Sequence, residues 1–270
     1  MINETYEIGD ATFEVFIVEN PDDAYGDKKR PFVIICPGGG YHLIAHREGE
    51  CIATMFNANG INAGVLHYSV APSRFPKALS ELAEATALVR QHAEEWRTPD
   101  NQIAVCGFSA GGHLAASLAT MWNDDWLDEV SGTTAEQRRP NALLACYAVL
   151  TSGEHAHRGT ITNLLGECPS RELLERNSPE KRVGKDTPPT FIWHTWTDKV
   201  VPVENALLFA EALRKNDIEC EMHVYGYGEH GLGLATRGFL NQKHPVPNPD
   251  VSRWPVEAVS WINRIFGRTN

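Results

Sequence analysis

The 270-residue sequence predicts a three-layer α/β architecture, a mainly parallel central sheet with helices on both faces. Three observations point there. Short runs that are apolar on every residue alternate with segments of helical period. One such run, Ile103-Ala-Val-Cys106, leads into Gly107-Phe-Ser109-Ala-Gly111 and then a string of small residues, which reads as strand, sharp turn, helix. Residues with catalytic side chains or free backbone follow closely on several runs (Pro37, Ser109, Thr197, Gly226), at the sheet edge where such folds hold their ligands.

Taken in order, residues 1–20 alternate in part (Phe13, Val15, Ile17) and read as one or two antiparallel strands, closed by a polar turn from Pro21 to Arg30. Pro31 to Cys36 is a buried strand ending in Pro37 and three glycines. Residues 47–59 read as a helix with Cys51, Ile52, Met55 and Phe56 on one face and Gly60 as its stop. A strand follows at Ile61–Tyr68. Leu79, Leu82, Ala85, Val89, Ala93 and Trp96 then step at helical spacing through a segment from Pro76 to Trp96. Beyond the Ser109 turn come strands at Asn141–Leu150, Pro189–Thr195 and Glu219–Tyr225, and helices at Asn205–Lys215 and Ser252–Phe266. The last helix carries Trp254, Ala258, Trp261, Ile262 and Ile265 on one stripe. One domain spanning 1–270 is expected, with residues 151–187, polar and long for a connection, as a small lid or cap. Gln242–Pro249 reads as an extended loop.

Composition narrows the function classes. The net charge of −11, from 24 basic and 35 acidic residues, argues against nucleic acid or an anionic membrane surface as a partner. No apolar stretch approaches the roughly 20 residues that cross a bilayer, and the N-terminus lacks the pattern of a signal peptide, so a cytoplasmic protein is expected. Six scattered cysteines without a C-x-x-C pair read as reduced thiols, with Cys36, Cys106 and Cys146 buried. Whether the chain forms homo-oligomers is left open.

A serine hydroxyl attacks well only when a base takes its proton and a third group orients that base. Ser109 sits on the tight turn, and side chains at Gly107 or Gly111 would collide with the neighbouring strand and helix. Downstream, Asp198 and His230 each follow a strand end, in the order serine, acid, histidine. The capping role common for a post-strand aspartate competes for Asp198, as does Glu229 for the orienting acid; a residue adjacent to the base rarely bends back to it. Asp186 and Glu204 are weaker candidates. His113 reads as packing beneath the turn and His194 as a strand residue of the core. Oxyanion donors are expected from the N–H groups of Ala110 and of Gly38, Gly39 and Gly40. His42 with His46, and His155 with His157, lack a third ligand, so neither a metal nor a cofactor is expected. Trp196 is a candidate to line the pocket and stack on a sugar face.

GFSAGGH at 107–113, PGGGY at 37–41, HYSVAP at 67–72, Asp198 before KVVP and His230 in GEHGLG together resemble the α/β-hydrolase esterase/lipase group. More closely, the chain is similar to bacterial carbohydrate esterases of the acetyl-xylan-esterase type, over nearly its whole length. The resemblance implies the α/β-hydrolase fold, with Ser109 as nucleophile, His230 as base then acid, Asp198 as orienter, and Gly38–Gly40 with Ala110 as oxyanion hole. Tyr41, in PGGGY, is a further candidate to bind the substrate, a small-molecule ester. Many relatives carry histidine where this chain has Pro37, which leaves open which glycine N–H faces the hole. The expected activity is hydrolysis of short acyl esters, acetyl groups on sugars or xylo-oligosaccharides above all. An arylformamidase or other small-amide hydrolase would use the same three residues, and a hydrolase-fold binding protein would use the pocket without turnover.

Overall fold

The computed structural model describes residues 1–20, 26–237 and 245–267. Its centre is one eight-stranded sheet: β1 (Ile2–Ile8), β2 (Ala11–Ile17), β3 (Phe32–Cys36), β4 (Asn62–His67), β5 (Ile103–Phe108), β6 (Ala142–Cys146), β7 (Thr190–Thr195) and β8 (Cys220–Tyr225). The spatial order is β1-β2-β4-β3-β5-β6-β7-β8. β1 and β2 form an antiparallel hairpin, and β2 also runs antiparallel to β4. From β4 to β8 every pairing is parallel. The helices are α1 (Glu50–Ala58), α2 (Lys77–Gln91), α3 (Ala110–Met121), α4 (Trp126–Ser131), α5 (Ala135–Arg138), α6 (Arg158–Leu165), α7 (Arg171–Arg176), α8 (Pro179–Arg182), α9 (Glu204–Lys215) and α10 (Trp254–Gly267).

The apolar runs are central strands because each of their faces meets a helix layer. In β3, Phe32, Ile34 and Cys36 join a core with Leu79, Leu82 and Val89 of α2, Leu114 and Leu118 of α3 and Phe209 of α9. Val33 and Ile35 point the other way, toward Ile52 and Phe56 of α1 and Trp254, Ala258, Trp261 and Ile262 of α10. A period of two along a strand thus serves two cores at once. Trp193 of β7 stacks on Trp254 with ring centroids 5.5 Å apart, closing the second core beneath the site. Among the described residues no helix is long and apolar enough to cross a membrane.

Several local expectations change. Cys51 is exposed and Ala53 joins Ile52 and Phe56 on the buried face of α1, which starts only at Glu50, after a separate 3-10 turn (His46–Glu48). α2 ends at Gln91, and Trp96 is buried beyond it in irregular chain. The strand expected over Asn141–Leu150 stops at Cys146, since Tyr147 has a φ of 36° and leaves the sheet. Residues 151–187 hold three short helices, α6 to α8, with Leu164 in the first core. Of the expected loops, residues 21–25 and 242–244 lie outside the described residues.

Candidate active site

β5 delivers Ser109 to the carboxyl edge of the sheet, between β3 and β6. Ser109 has φ 54° and ψ −118°, a strained conformation for a residue with a Cβ. The turn is held by Ser109 N–H donating to the Cys146 carbonyl and by the Ser109 carbonyl accepting from Val149 and His113. It closes only because its neighbours are bare. A methyl at Gly107 would run into the Gly111 carbonyl, and one at Gly111 into the carbonyls of Cys36 and Pro37.

Three side chains from three separate segments meet here. His230 Nε2 lies 2.8 Å from Ser109 Oγ, and His230 Nδ1 lies 2.7 Å from Asp198 Oδ2. The other Asp198 oxygen, Oδ1, accepts the N–H groups of Val200 at 2.9 Å and Val201 at 3.0 Å, so the carboxylate is fixed at both ends. Burial acts to raise the Asp198 carboxyl, but the imidazoles of His194 and His230 and the Val201 N–H outweigh it and hold the group well below the usual carboxylate range. His194, fully buried, donates from Nε2 to the Val201 carbonyl at 2.9 Å and stands 3.6 Å from Asp198 Oδ2. It supports the acid loop from the core. Glu229 is exposed next to His230, and Asp198 occupies the position the imidazole needs. Asp186 takes up Asn123 on another part of the surface, and Glu204 opens α9.

The glycine loop after β3 shows a definite pattern of used and unused polar groups. The Gly38 carbonyl accepts Ala45 N–H, the Gly39 carbonyl accepts His42 and Leu43, and the Gly40 carbonyl accepts Asn163 Nδ2 from α6 at 2.9 Å. Gly38 N–H donates to Glu48 Oε2 at 2.8 Å. No acceptor among the described residues takes the N–H of Gly39, Gly40 or Ala110. Half-buried backbone donors without partners are uncommon, and successive ones make an anion-binding nest. Gly39 and Gly40 reach this shape through φ values of 129° and 65°, open to glycine at little cost. Of the three glycine N–H groups expected as candidate donors, Gly38 drops out because its N–H is already taken by Glu48.

Tyr41 is a second correction. It is 2 % exposed, its hydroxyl donates to His113 Nδ1 at 3.0 Å, and its ring packs edge-on against Tyr68. It belongs to the core under the loop, with no surface for a substrate. His113 completes that support by donating from Nε2 to the Asn177 carbonyl, and burial pulls its pKa down to about 4. Trp196 stands 61 % exposed at the end of β7, two residues before Asp198. His157 caps α6 by accepting Thr160 N–H, and burial together with nearby His230 lowers its pKa. His42 is exposed, and His46 packs against His67.

Sequence reasoning missed Glu48, Tyr147 and Asn163. Tyr147 donates to Glu48 Oε1 at 2.7 Å and packs its ring against His230, with centroids 5.1 Å apart at 74°. No short motif marks these residues; only the buried environment gives them meaning.

Several known proteins resemble this chain over most of its length. The BD-FAE family model matches residues 22–213. An endo-1,4-beta-xylanase B from Butyrivibrio fibrisolvens is 36% identical over 80% of this chain, and an acetylxylan esterase from Xylanibacter ruminicola is 28% identical over 84%. The chain spans only 34% and 45% of those two longer proteins. Among solved structures, an acetyl ester-xyloside bifunctional hydrolase from Caldicellulosiruptor lactoaceticus superposes with a TM-score of 0.81 at 36% identity, covering 94% of this chain and 88% of the other. A sugar hydrolase from Lactococcus lactis superposes at 0.82 with 29% identity and full coverage of both chains. The sheet order, the strained serine turn and these likenesses lead to one assignment: the chain has the α/β-hydrolase fold and belongs to the BD-FAE family.

Proposed function

We propose that this chain is a serine carboxylesterase that removes short acyl groups, above all acetyl groups, from sugars such as xylo-oligosaccharides. The observation that carries the reading is the continuous hydrogen-bonded line Asp198–His230–Ser109, at 2.7 and 2.8 Å, beside a glycine loop with unused N–H groups. The acetyl and xylan chemistry in the names of the similar proteins supports the substrate class.

The reaction runs in two steps. His230 Nε2 takes the Ser109 proton as Oγ attacks the ester carbonyl carbon, and the carbonyl oxygen becomes an oxyanion. The N–H groups of Gly39, Gly40 and Ala110 receive that charge, with the N-terminus of α3 adding its dipole. The imidazolium then gives its proton to the departing alcohol as the C–O bond breaks. Water, deprotonated by His230, attacks the acyl-enzyme and releases the acid and free Ser109. Asp198, ionised throughout, keeps Nδ1 protonated and Nε2 basic.

Initial rates on p-nitrophenyl esters from acetate to octanoate, with Ser109→Ala alongside, test this. The expected result is a sharp preference for acetate that is lost in the variant, followed by acetate release from acetylated xylo-oligosaccharides. A preference for octanoate would reject the deacetylase reading. Turnover of an N-formyl arylamine with none of any ester would replace it with a formamidase.

A further inference from the structure

We propose that Glu48 is a positioning residue that locks the glycine loop in its charge-accepting form and couples it, through Tyr147, to the His230 loop. The inference rests on the Ser109–His230–Asp198 reading above. Glu48 ends the 3-10 turn before α1, and its side chain is 3 % exposed. Burying a carboxylate is costly unless its oxygens are satisfied. Both are. Oε2 accepts Gly38 N–H at 2.8 Å, and Oε1 accepts the Tyr147 hydroxyl at 2.7 Å. The Tyr147 oxygen in turn accepts Gly233 N–H at 3.2 Å, three residues beyond His230, while its ring supports the imidazole edge-to-face. Among the described residues the one cation within 4.0 Å is Arg47, whose Nε stands 4.0 Å from Oε1.

A backbone carbonyl would satisfy Gly38 N–H with no buried charge. The carboxylate does what a carbonyl cannot: its two oxygens bridge the loop after β3 and the chain after β6. A methyl at Gly38 would lie 2.7 Å from Glu48 Oε2 and 3.1 Å from Ser109 Cβ, so carboxylate, loop and serine converge on one point. With Gly38 N–H turned to Glu48 and all three glycine carbonyls occupied, the free N–H groups of Gly39 and Gly40 are what the loop has left to offer an oxyanion. Oxyanion stabilisation depends on donors that need no reorganisation when charge develops. Because both its oxygens are engaged, Glu48 holds the loop and moves no proton.

Glu48→Gln keeps the volume but leaves one oxygen for two donors and turns an NH2 toward the other. Its kcat on p-nitrophenyl acetate is expected to fall on the order of 10²-fold, the scale of a lost oxyanion donor, with KM within about threefold. The midpoint of the kcat/KM pH profile should stay in place, because Asp198 and His230 keep their contacts. Tyr147→Phe, which leaves the Glu48–Gly38 bond, should lose about tenfold in kcat with unchanged KM, and the double variant should lose less than the product of the two. A kcat for Glu48→Gln within threefold of the parent overturns the proposal, as does a loss confined to KM. Should Glu48→Gln not fold, Tyr147→Phe decides, and a kcat within threefold of the parent overturns it. Ser109→Ala is assayed beside them. Activity surviving there rejects the serine reading itself, whereas an inactive Ser109→Ala beside a normal Glu48→Gln rejects only the role of Glu48.

Discussion

At Asp198 a single carboxylate decides which imidazole tautomer faces Ser109. Nδ1 of His230 is 2.7 Å from Oδ2, so the ring proton stays on that side and Nε2 is left to accept. Asp198→Asn keeps the size, but its amide can donate to Nδ1 and turn Nε2 into a donor. The expected outcome is a kcat lower by on the order of 10⁴ with KM little changed, read from steady-state rates on p-nitrophenyl acetate. Near-parent rates would move the orienting role to another acid. The three residues of this line were legible because each follows a strand end in a fixed order. The direction of the Tyr41 side chain and of the Gly38 N–H was not legible, for a common reason. Motif adjacency says that they sit beside the serine, but not which way a side chain or an N–H points. Tyr41 has a φ of 54°, which turns its side chain inward to His113, and Glu48 claims Gly38 from ten residues downstream.

Elements set how tightly the site can be built. The α3 N-terminus approaches β3 so closely that the Gly111 position faces the carbonyls of Cys36 and Pro37, neither of which can rotate away. Gly111→Ala is expected to cost about 3 kcal/mol of stability and to abolish turnover, measured by urea unfolding and ester hydrolysis. A fully active, equally stable variant would show that the turn tolerates more room than the geometry allows. α6 reaches the site differently, by holding the Gly40 carbonyl through Asn163. Asn163→Ala should lower kcat by about three- to tenfold while costing about 1 kcal/mol, the scale of one hydrogen bond. Unchanged kcat would confine α6 to packing. Strands and long helices were readable because two cores impose a strict period on β3, α2 and α10. The short helices α4 to α8 were not, since elements of four to eight residues carry too few apolar positions to repeat. For α5 a local signal existed: Thr134 and Gln137 form a reciprocal capping box.

For the whole molecule, we propose that residues 151–187 belong to the same folding unit as the sheet. Leu164 lies in the first core, Asn205 of α9 donates to the His155 carbonyl, and its side-chain oxygen accepts Leu150 and Thr151. The same stretch reads from sequence as a lid or cap because side-chain hydrogen bonds of this kind leave no apolar period there. Such a unit should respond to acid as one body, in an upper window set chiefly by His113, to which half-buried His157 adds, and a lower one set by Asp198. His113 is fully buried, and its folded pKa of about 4 lies below the ordinary 6.5. Between those values the unfolded chain binds the extra proton, so stability falls as pH drops from about 6.5 to about 4, by about 3 kcal/mol in all. Asp198 acts lower. Its folded carboxyl is held beneath its ordinary value of 3.8, so stability continues to fall as pH drops below that point. His113→Gln retains an amide N–H for the Asn177 carbonyl and an oxygen for the Tyr41 hydroxyl, but cannot titrate. It should be less stable at pH 7 through imperfect packing, yet lose most of the slope between pH 6.5 and 4, with His157 supplying what remains, while Asp198→Asn keeps the upper slope and flattens the lower. Urea midpoints at half-unit pH steps separate the two. An unaltered slope in His113→Gln would mean that the acid sensitivity of the fold arises elsewhere, and that the imidazole beneath the serine turn is protonated at no cost to the structure above it.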